Sequence, residues 1–207
     1  MVDWEQWKQR GKDTYQFIFY EDSVVSNLAF AVVAYIVIKY ALFPLIGWMT
    51  GTSLPIVAVI SQSMHHPEAW WTDDRAVCDN GPCSQEAFYE QYGIDQAIFQ
   101  SYPFNNGFNR GDIMLVSAQS SYEPGDVVIY QRPRGTPVIH RVIDTNSDGS
   151  YVVKGDNNRR PLPDRNYQYQ FSEYRLPADR IEGAAYARIP YVGYVKLALV
   201  EAVNAII

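Results

Sequence analysis

From Val24 to Met49 the chain reads "VVSNLAFAVVAYIVIKYALFPLIGWM", an apolar run whose only charge is Lys39. Coiled as a helix at ~1.5 Å per residue it would reach about 39 Å, more than the ~30 Å hydrocarbon core of a bilayer, so it can tilt or let Lys39 snorkel. The pattern predicts a transmembrane helix over residues 24–49, with Pro44 as a possible kink. A cleavable signal peptide is the alternative reading, but 23 residues of polar texture precede the run and its apolar part is long for such a segment. The texture then changes. Leu54 to Ile60 is a short β-branched run, and residues 68–110 are polar, aromatic and helix-permissive around "SQEAFYEQYGIDQAIF", as an insertion would be. From Asp112 onward short β-type runs alternate with turn residues: "DIMLVS", "DVVIYQ", "PVIHRVID", and "SYVVKG" after "TNSDG".

That spacing, without βαβ alternation, predicts a mainly β protein: a membrane-anchored antiparallel β-domain over residues 54–190, Greek-key or barrel-like. Asn157 to Asp179 is rich in Pro, Arg, Tyr and Asn with no clear period and is expected to form a long surface connection. The apolar C-terminal segment, residues 191–207, carries Lys196 and Glu201 and is short for a span; a second span, an interfacial helix and a packing helix all fit it.

Charge changes the picture in two ways. A net charge of −6, with no block of Lys or Arg, argues against binding a nucleic-acid backbone. Lys8, Arg10 and Lys12 precede the apolar run, whereas the first basic residue after it is Arg75, which predicts a cytoplasmic N-terminal segment (residues 1–23) and an extracytoplasmic main domain at the cell membrane. Cys78 and Cys83, the two cysteines, flank a "DNGP" turn; a local disulfide suits an exterior domain, and two free thiols are the alternative. No metal site or cofactor is expected, since this pair supplies too few ligands.

The candidate chemistry centres on "AVISQSMHHP", residues 58–67. A serine hydroxyl needs a base to take its proton, and histidine supplies one suited to neutral pH. His65 and His66 lie too close in sequence to Ser63 to accept its proton in line. His140 sits within the strand-like "PVIHRVI", with its side chain opposite to those of Ile139 and Arg141. "KGDNN" follows and offers Asp156, with Asp164 a little beyond; an acid beside His140 would fix its tautomer. By composition alone Asp156 is better read as a plain turn residue, so motif context decides.

The order "SQSM…RGDIMLV…GDVVIY…IHRV…KGDNN…RIPYVGYVK" resembles the type I signal peptidases, membrane serine proteases that remove signal peptides. The histidine in the "HRV" block, where bacterial members use a lysine elsewhere, resembles the archaeal and endoplasmic-reticulum type, and an archaeal membrane is the simpler home. The resemblance implies Ser63 as nucleophile, His140 as general base, and Ser61 as an oxyanion donor together with the Ser63 N–H. It implies an orienting acid at Asp164 or Asp156, with Asp164 preferred although its spacing is longer than the family pattern. Ile60, Met64, Ile113 and Leu115 are the expected substrate walls for small residues at the cut. The implied partners are signal-peptide-bearing preproteins, the lipid bilayer and the protein translocation machinery. Two histidines stand between the methionine and the proline where the family usually has one residue, and the insertion over residues 68–110 lies where it can lid the cleft or meet the membrane.

Two rivals remain. A metallopeptidase would use His65, His66, His140 and an aspartate, but adjacent histidines on a strand face opposite ways and no H-E-x-x-H pattern occurs. A non-catalytic β-domain acting in binding or assembly is the other. A rate requiring a strongly alkaline group would point to Lys154 in place of His140.

Overall fold

The computed structural model describes residues 4–133, 135–163 and 171–192. It divides into two compact units, residues 1–49 and 50–207. In the first, helix α1 (Trp4–Tyr20) precedes α2 (Val24–Val37), whose N-terminus is capped by Ser23 accepting from the Ser26 N–H. A π-helical turn (Ile38–Leu42) leads into α3 (Phe43–Thr50). Val24–Thr50 is thus one continuous helical stretch of 27 residues, long and apolar enough to cross a membrane, as the apolar run predicts. Pro44 falls at the second residue of α3, immediately after the π-helical turn, where a wider turn spares the hydrogen bond that a proline cannot donate.

The second unit is built on a six-stranded, wholly antiparallel sheet in the order β1 (Ile56–Ala58), β4 (Ile113–Ser117), β8 (Ile181–Ile189), β5 (Val127–Tyr130), β6 (Val138–Thr145), β7 (Tyr151–Lys154). The expected β-type runs fall on β4 to β7. The central strand β5 is buried at every position because each face of the sheet meets a different cluster. Val127 and Ile129 pack with Met64, Phe108 and Met114; Val128 and Tyr130 pack with Tyr151, Val153, Phe171 and Leu176. Two covered faces account for the unbroken apolar run "VVIY".

The insertion forms a hairpin, β2 (Ala76–Cys78) and β3 (Gly81–Cys83), closed by the Cys78–Cys83 disulfide, then α4 (Gln85–Glu90) and α5 (Gln96–Ser101). Its aromatic residues Trp70, Phe88, Tyr89 and Phe99 make a third core with Ile143 and Val152. The free-thiol alternative is thereby replaced by the pairing. Of the expected connection over residues 157–179, Phe171, Glu173 and Leu176 are buried, so part of it is core. Beyond Val192 the C-terminal segment lies outside the described residues, and so does Asp164.

Candidate active site

Two loops and one strand supply the site. Ser61 and Ser63 lie just beyond β1, an edge strand with β4 as its partner in the sheet. His140 is on β6, opposite Val128 of β5, and is 4 % exposed. The "GDNN" turn follows β7, and its last two residues reach both. The Asn157 N–H donates to the Ser63 carbonyl at 2.7 Å and its side-chain amide to the Gln62 carbonyl at 3.2 Å. The Asn158 side-chain amide lies 3.4 Å from Nε2 of His140. Ser61, Ser63, His140, Asn157, Asn158 and Glu173 line one cleft of about 640 Å³, with Arg132, Arg159 and Arg160 also on its walls. Ser63 and His140, taken from the sequence as a pair, are therefore brought to the same cleft.

The tautomer of His140 follows from its neighbours. The Tyr130 hydroxyl donates to Oε1 of Glu173 at 2.6 Å, and with its one proton so used it offers His140 Nδ1, 3.1 Å away, a lone pair. Oε1 of Glu173 is itself 3.3 Å from Nδ1. Nδ1 therefore carries the proton, and Nε2 keeps a lone pair, which suits the amide donor on Asn158. A histidine so arranged can accept a proton at Nε2. Ser63 Oγ lies 3.1 Å from Ser61 Oγ, and if Ser61 is the donor the Ser63 proton is left to pass to His140.

Glu173 is a residue that sequence patterning missed. Its carboxylate is 5 % exposed and receives the Tyr130 hydroxyl and, at Oε2, the Leu162 N–H at 2.8 Å. Burial alone would push its carboxyl up; His140 beside it and these donors hold it below the ordinary range instead. Its signal in the sequence is faint: in "FSEYRL" the buried positions Phe171 and Glu173 alternate, placing the charge on an inward position.

Asp156 goes elsewhere. Arg141 grips its carboxylate in a fork, Nε to Oδ1 at 3.0 Å and Nη2 to Oδ2 at 2.8 Å, while Tyr89 donates to Oδ1 at 2.9 Å and His66 Nε2 meets Oδ2 at 2.9 Å. Burial works against the charge, but Arg141 and then His66 outweigh it, and the carboxyl lies well below its usual range. With both oxygens committed to those partners, the expected contact of Asp156 with His140 is not what the structure places there; Glu173 occupies that position. Lys154 is fully buried, donates to Gln85 Oε1 at 2.7 Å and to the Gly155 and Asp156 carbonyls, and does not line the cleft. Burial pulls its ammonium down to about 7.

The expected substrate walls divide. Ile60 lines the cleft, together with Val57, Ala58 and Val59. Met64 points the other way and is 1 % exposed in the core, its sulfur accepting the Asp156 N–H at 3.4 Å. Ile113 and Leu115 pair with Ala58 and Ile56 across β1 and β4 and are not among the cleft residues, because β1 stands between them and the open edge. The insertion holds the "GDNN" turn from behind: Trp70 donates to the Asp156 carbonyl, Gln85 to that of Asn158, and the Val77 N–H to that of Arg159. Among the described residues no cluster of three or more metal-ligating side chains occurs. His65 is on Asn109 and His66 is on Asp156, so neither shares a centre with His140.

Comparison with known proteins gives the following. No family model matches the chain, and no solved structure matches it. The chain is similar to the Signal peptidase complex catalytic subunit SEC11 of Komagataella phaffii (strain GS115 / ATCC 20864), 34 % identical over 104 residues that cover 45 % of this chain and 60 % of that protein. It is similar to the protein of the same name from Plasmodium falciparum (isolate 3D7), 33 % identical over 92 residues, 42 % of this chain and 48 % of that one. It also resembles Signal peptidase I W of Bacillus subtilis (strain 168), 31 % identical over 80 residues, 34 % of this chain and 42 % of the relative. The chain spans less than two thirds of the length of each. These relatives are eukaryotic and bacterial, so the expected archaeal home draws no support from them.

Proposed function

We propose that the chain is a type I signal peptidase, a membrane-bound serine endopeptidase that removes signal peptides from secreted preproteins, as its similarity to the relatives above supports. The observation that carries the reading is one turn joining two groups: "GDNN" holds the Ser63 loop through Asn157 and reaches His140 Nε2 through Asn158, so a nucleophile and a base with an open lone pair face the same cleft.

Ser63 Oγ attacks the scissile carbonyl carbon as His140 Nε2 takes its proton. Collapse of the tetrahedral intermediate breaks the C–N bond, and the same proton passes to the leaving amine. Water then attacks the acyl-enzyme, gives a proton to Nε2, and releases the signal peptide with Ser63 restored. The hydroxyl of Ser61 and the Ser63 N–H are the proposed oxyanion donors, a role in which one donor contributes roughly 3 to 4 kcal/mol. A substrate segment with small residues at the cut lies extended along the open edge of β1, with Ile60 among the groups that limit side-chain size.

Helix Val24–Thr50 is the proposed anchor, with the N-terminal segment cytoplasmic and the β-domain outside; preproteins, the bilayer and the translocation machinery are the proposed partners.

The test is cleavage of a preprotein in membranes containing the wild-type chain, Ser63→Ala or His140→Ala, with EDTA in parallel. Loss of cleavage in both variants and its survival in EDTA is the expected result. Cleavage by Ser63→Ala would overturn the serine mechanism, and a wild-type chain that never cleaves would move the function to binding.

A further inference from the structure

We propose that Glu173, and not Asp156 of the "GDNN" turn, is a carboxylate that positions His140 for catalysis, with the Tyr130 hydroxyl sharing the contact. The inference rests on the serine-protease reading of Ser63 and His140. It comes from three observations. Oε1 of Glu173 lies 3.3 Å from His140 Nδ1, and Tyr130 bridges the two. Glu173 is buried on a segment fixed at both ends of its peptide, its N–H on the Leu162 carbonyl and its own carbonyl on the Val153 N–H of β7. And the carboxylate of Asp156 is fully spent on Arg141, Tyr89 and His66.

The role is electrostatic and orientational. When Nε2 takes the Ser63 proton, the imidazolium gains a second N–H without moving the first, and Glu173 faces the new positive charge at Nδ1 with its own proton absent. Tyr130 cannot substitute, since its hydroxyl brings no charge. It keeps the ring edge in place and fixes which carboxylate oxygen faces His140. Among the described residues, the charged and titratable groups acting on this unit are Glu173 and Tyr130 themselves, Arg132, Lys154 of β7 and Tyr174. Glu173 touches the base and not the substrate, so it is a positioning residue.

The experiment measures preprotein cleavage by the full chain in membranes for Glu173→Gln, Glu173→Asp, Tyr130→Phe and Asp164→Asn, beside Ser63→Ala and His140→Ala. Glu173→Gln keeps the shape and removes the charge. Its kcat is expected to fall about 10³- to 10⁴-fold with KM nearly unchanged, the cost of losing an orienting carboxylate. The acid limb of its pH–rate profile should move to lower pH, because no anion then favours the protonated ring. Glu173→Asp should recover part of the rate, and Tyr130→Phe should cost less than Glu173→Gln. Loss in Asp164→Asn with a wild-type rate in Glu173→Gln would overturn the inference while leaving the serine mechanism standing. Activity in Ser63→Ala or His140→Ala would instead remove the reading beneath it. A measurement on the unaltered chain guards against a variant that fails to fold: nitrogen NMR of the ¹⁵N-histidine-labelled protein above neutral pH, with His140→Ala to assign the signal. A proton on Nδ1 and none on Nε2 is expected; the opposite tautomer overturns the proposal.

Discussion

β6 carries two consecutive polar side chains on opposite faces of the sheet, and each is met by a buried carboxylate. On one face His140 meets Glu173; on the other Arg141, with no exposed surface, meets Asp156. The two pairs bury charge to different ends. Arg141 uses Nε and Nη2 on Asp156 and its remaining donors on the carbonyls of Pro103, Phe104 and Gly125, so every donor is spent in holding loops together. Its guanidinium stays charged at any working pH, so the pair is a fixed strut. His140 uses one ring nitrogen on its carboxylate and turns the other toward a cleft, and it belongs to the one side-chain type that exchanges a proton near neutrality. A strand's period of two thus lets neighbouring residues serve stability and chemistry without sharing a partner.

The largest expected effect comes from breaking the strut. Asp156→Ala leaves a buried guanidinium unpaired, and removal of one partner of a buried ion pair costs about 3 to 5 kcal/mol. The midpoint of chemical or thermal unfolding should fall accordingly, with activity lost only as far as folding is lost. The pH dependence has a definite sign. Because the Asp156 carboxyl is depressed in the folded chain, its contribution is complete above the unfolded value near ~3.9 and fades as pH falls below that toward the folded value. The variant should therefore show a flatter acid limb of stability. If Asp156→Ala instead kept its stability and lost catalysis at neutral pH, the division between strut and catalytic pair would collapse.

A smaller effect should appear at Gly155→Ala, which sharpens the contrast from the catalytic side. A Cβ there would lie 2.7 Å from His140 Nε2 and 2.7 Å from the Asn158 amide nitrogen, far closer than van der Waals contact. The clash falls on the nitrogen proposed to take the Ser63 proton, and the His140 ring is held from behind by Glu173 and Tyr130, so the ring cannot simply retreat. We expect kcat to drop about 100-fold, equivalent to ~2.7 kcal/mol of activation free energy, with a modest change in unfolding midpoint. A full rate would mean that Nε2 does not act from its present position.

How much of this was readable beforehand depended on whether a residue's role is set locally. The apolar helix and the runs on β4 to β7 follow from periodicity, and the alternation that sets His140 against Ile139 and Arg141 is a property of any strand. Ser63 and His140 were found by motif order. Glu173 was not, because its partner lies 33 positions earlier in the chain and its segment shows neither period nor motif; only the packing of Phe171 and Leu176 turns it inward. Asp156 misled for the complementary reason. A "GDNN" turn reads as solvent-facing, but the insertion, placed by the sequence either over the cleft or against the membrane, covers it and supplies Tyr89 and Trp70 as partners. Met64 misled likewise: its place beside the nucleophile suggested substrate contact, while a buried methionine fills the core under Asp156.

The least of the expected effects tests how far the insertion matters to the site it supports. The disulfide closes a short loop, Cys78 to Cys83, and in the chain-entropy treatment a loop this small contributes about 2 kcal/mol. Cys78→Ser with Cys83→Ser should lower the unfolding free energy by that amount. The catalytic consequence runs through a single strand bond, the Val77 N–H to the Arg159 carbonyl at 2.9 Å, because Arg159 directly follows the asparagine that touches His140. Trp70, Gln85 and Tyr89 hold the same turn independently of the hairpin. The preprotein cleavage rate of the double variant, measured well below its unfolding temperature, should therefore stay within about threefold of wild type, under ~0.7 kcal/mol. A fall as deep as that of Gly155→Ala would mean that the hairpin, and not the aromatic core of the insertion, fixes the turn on which both Ser63 and His140 depend.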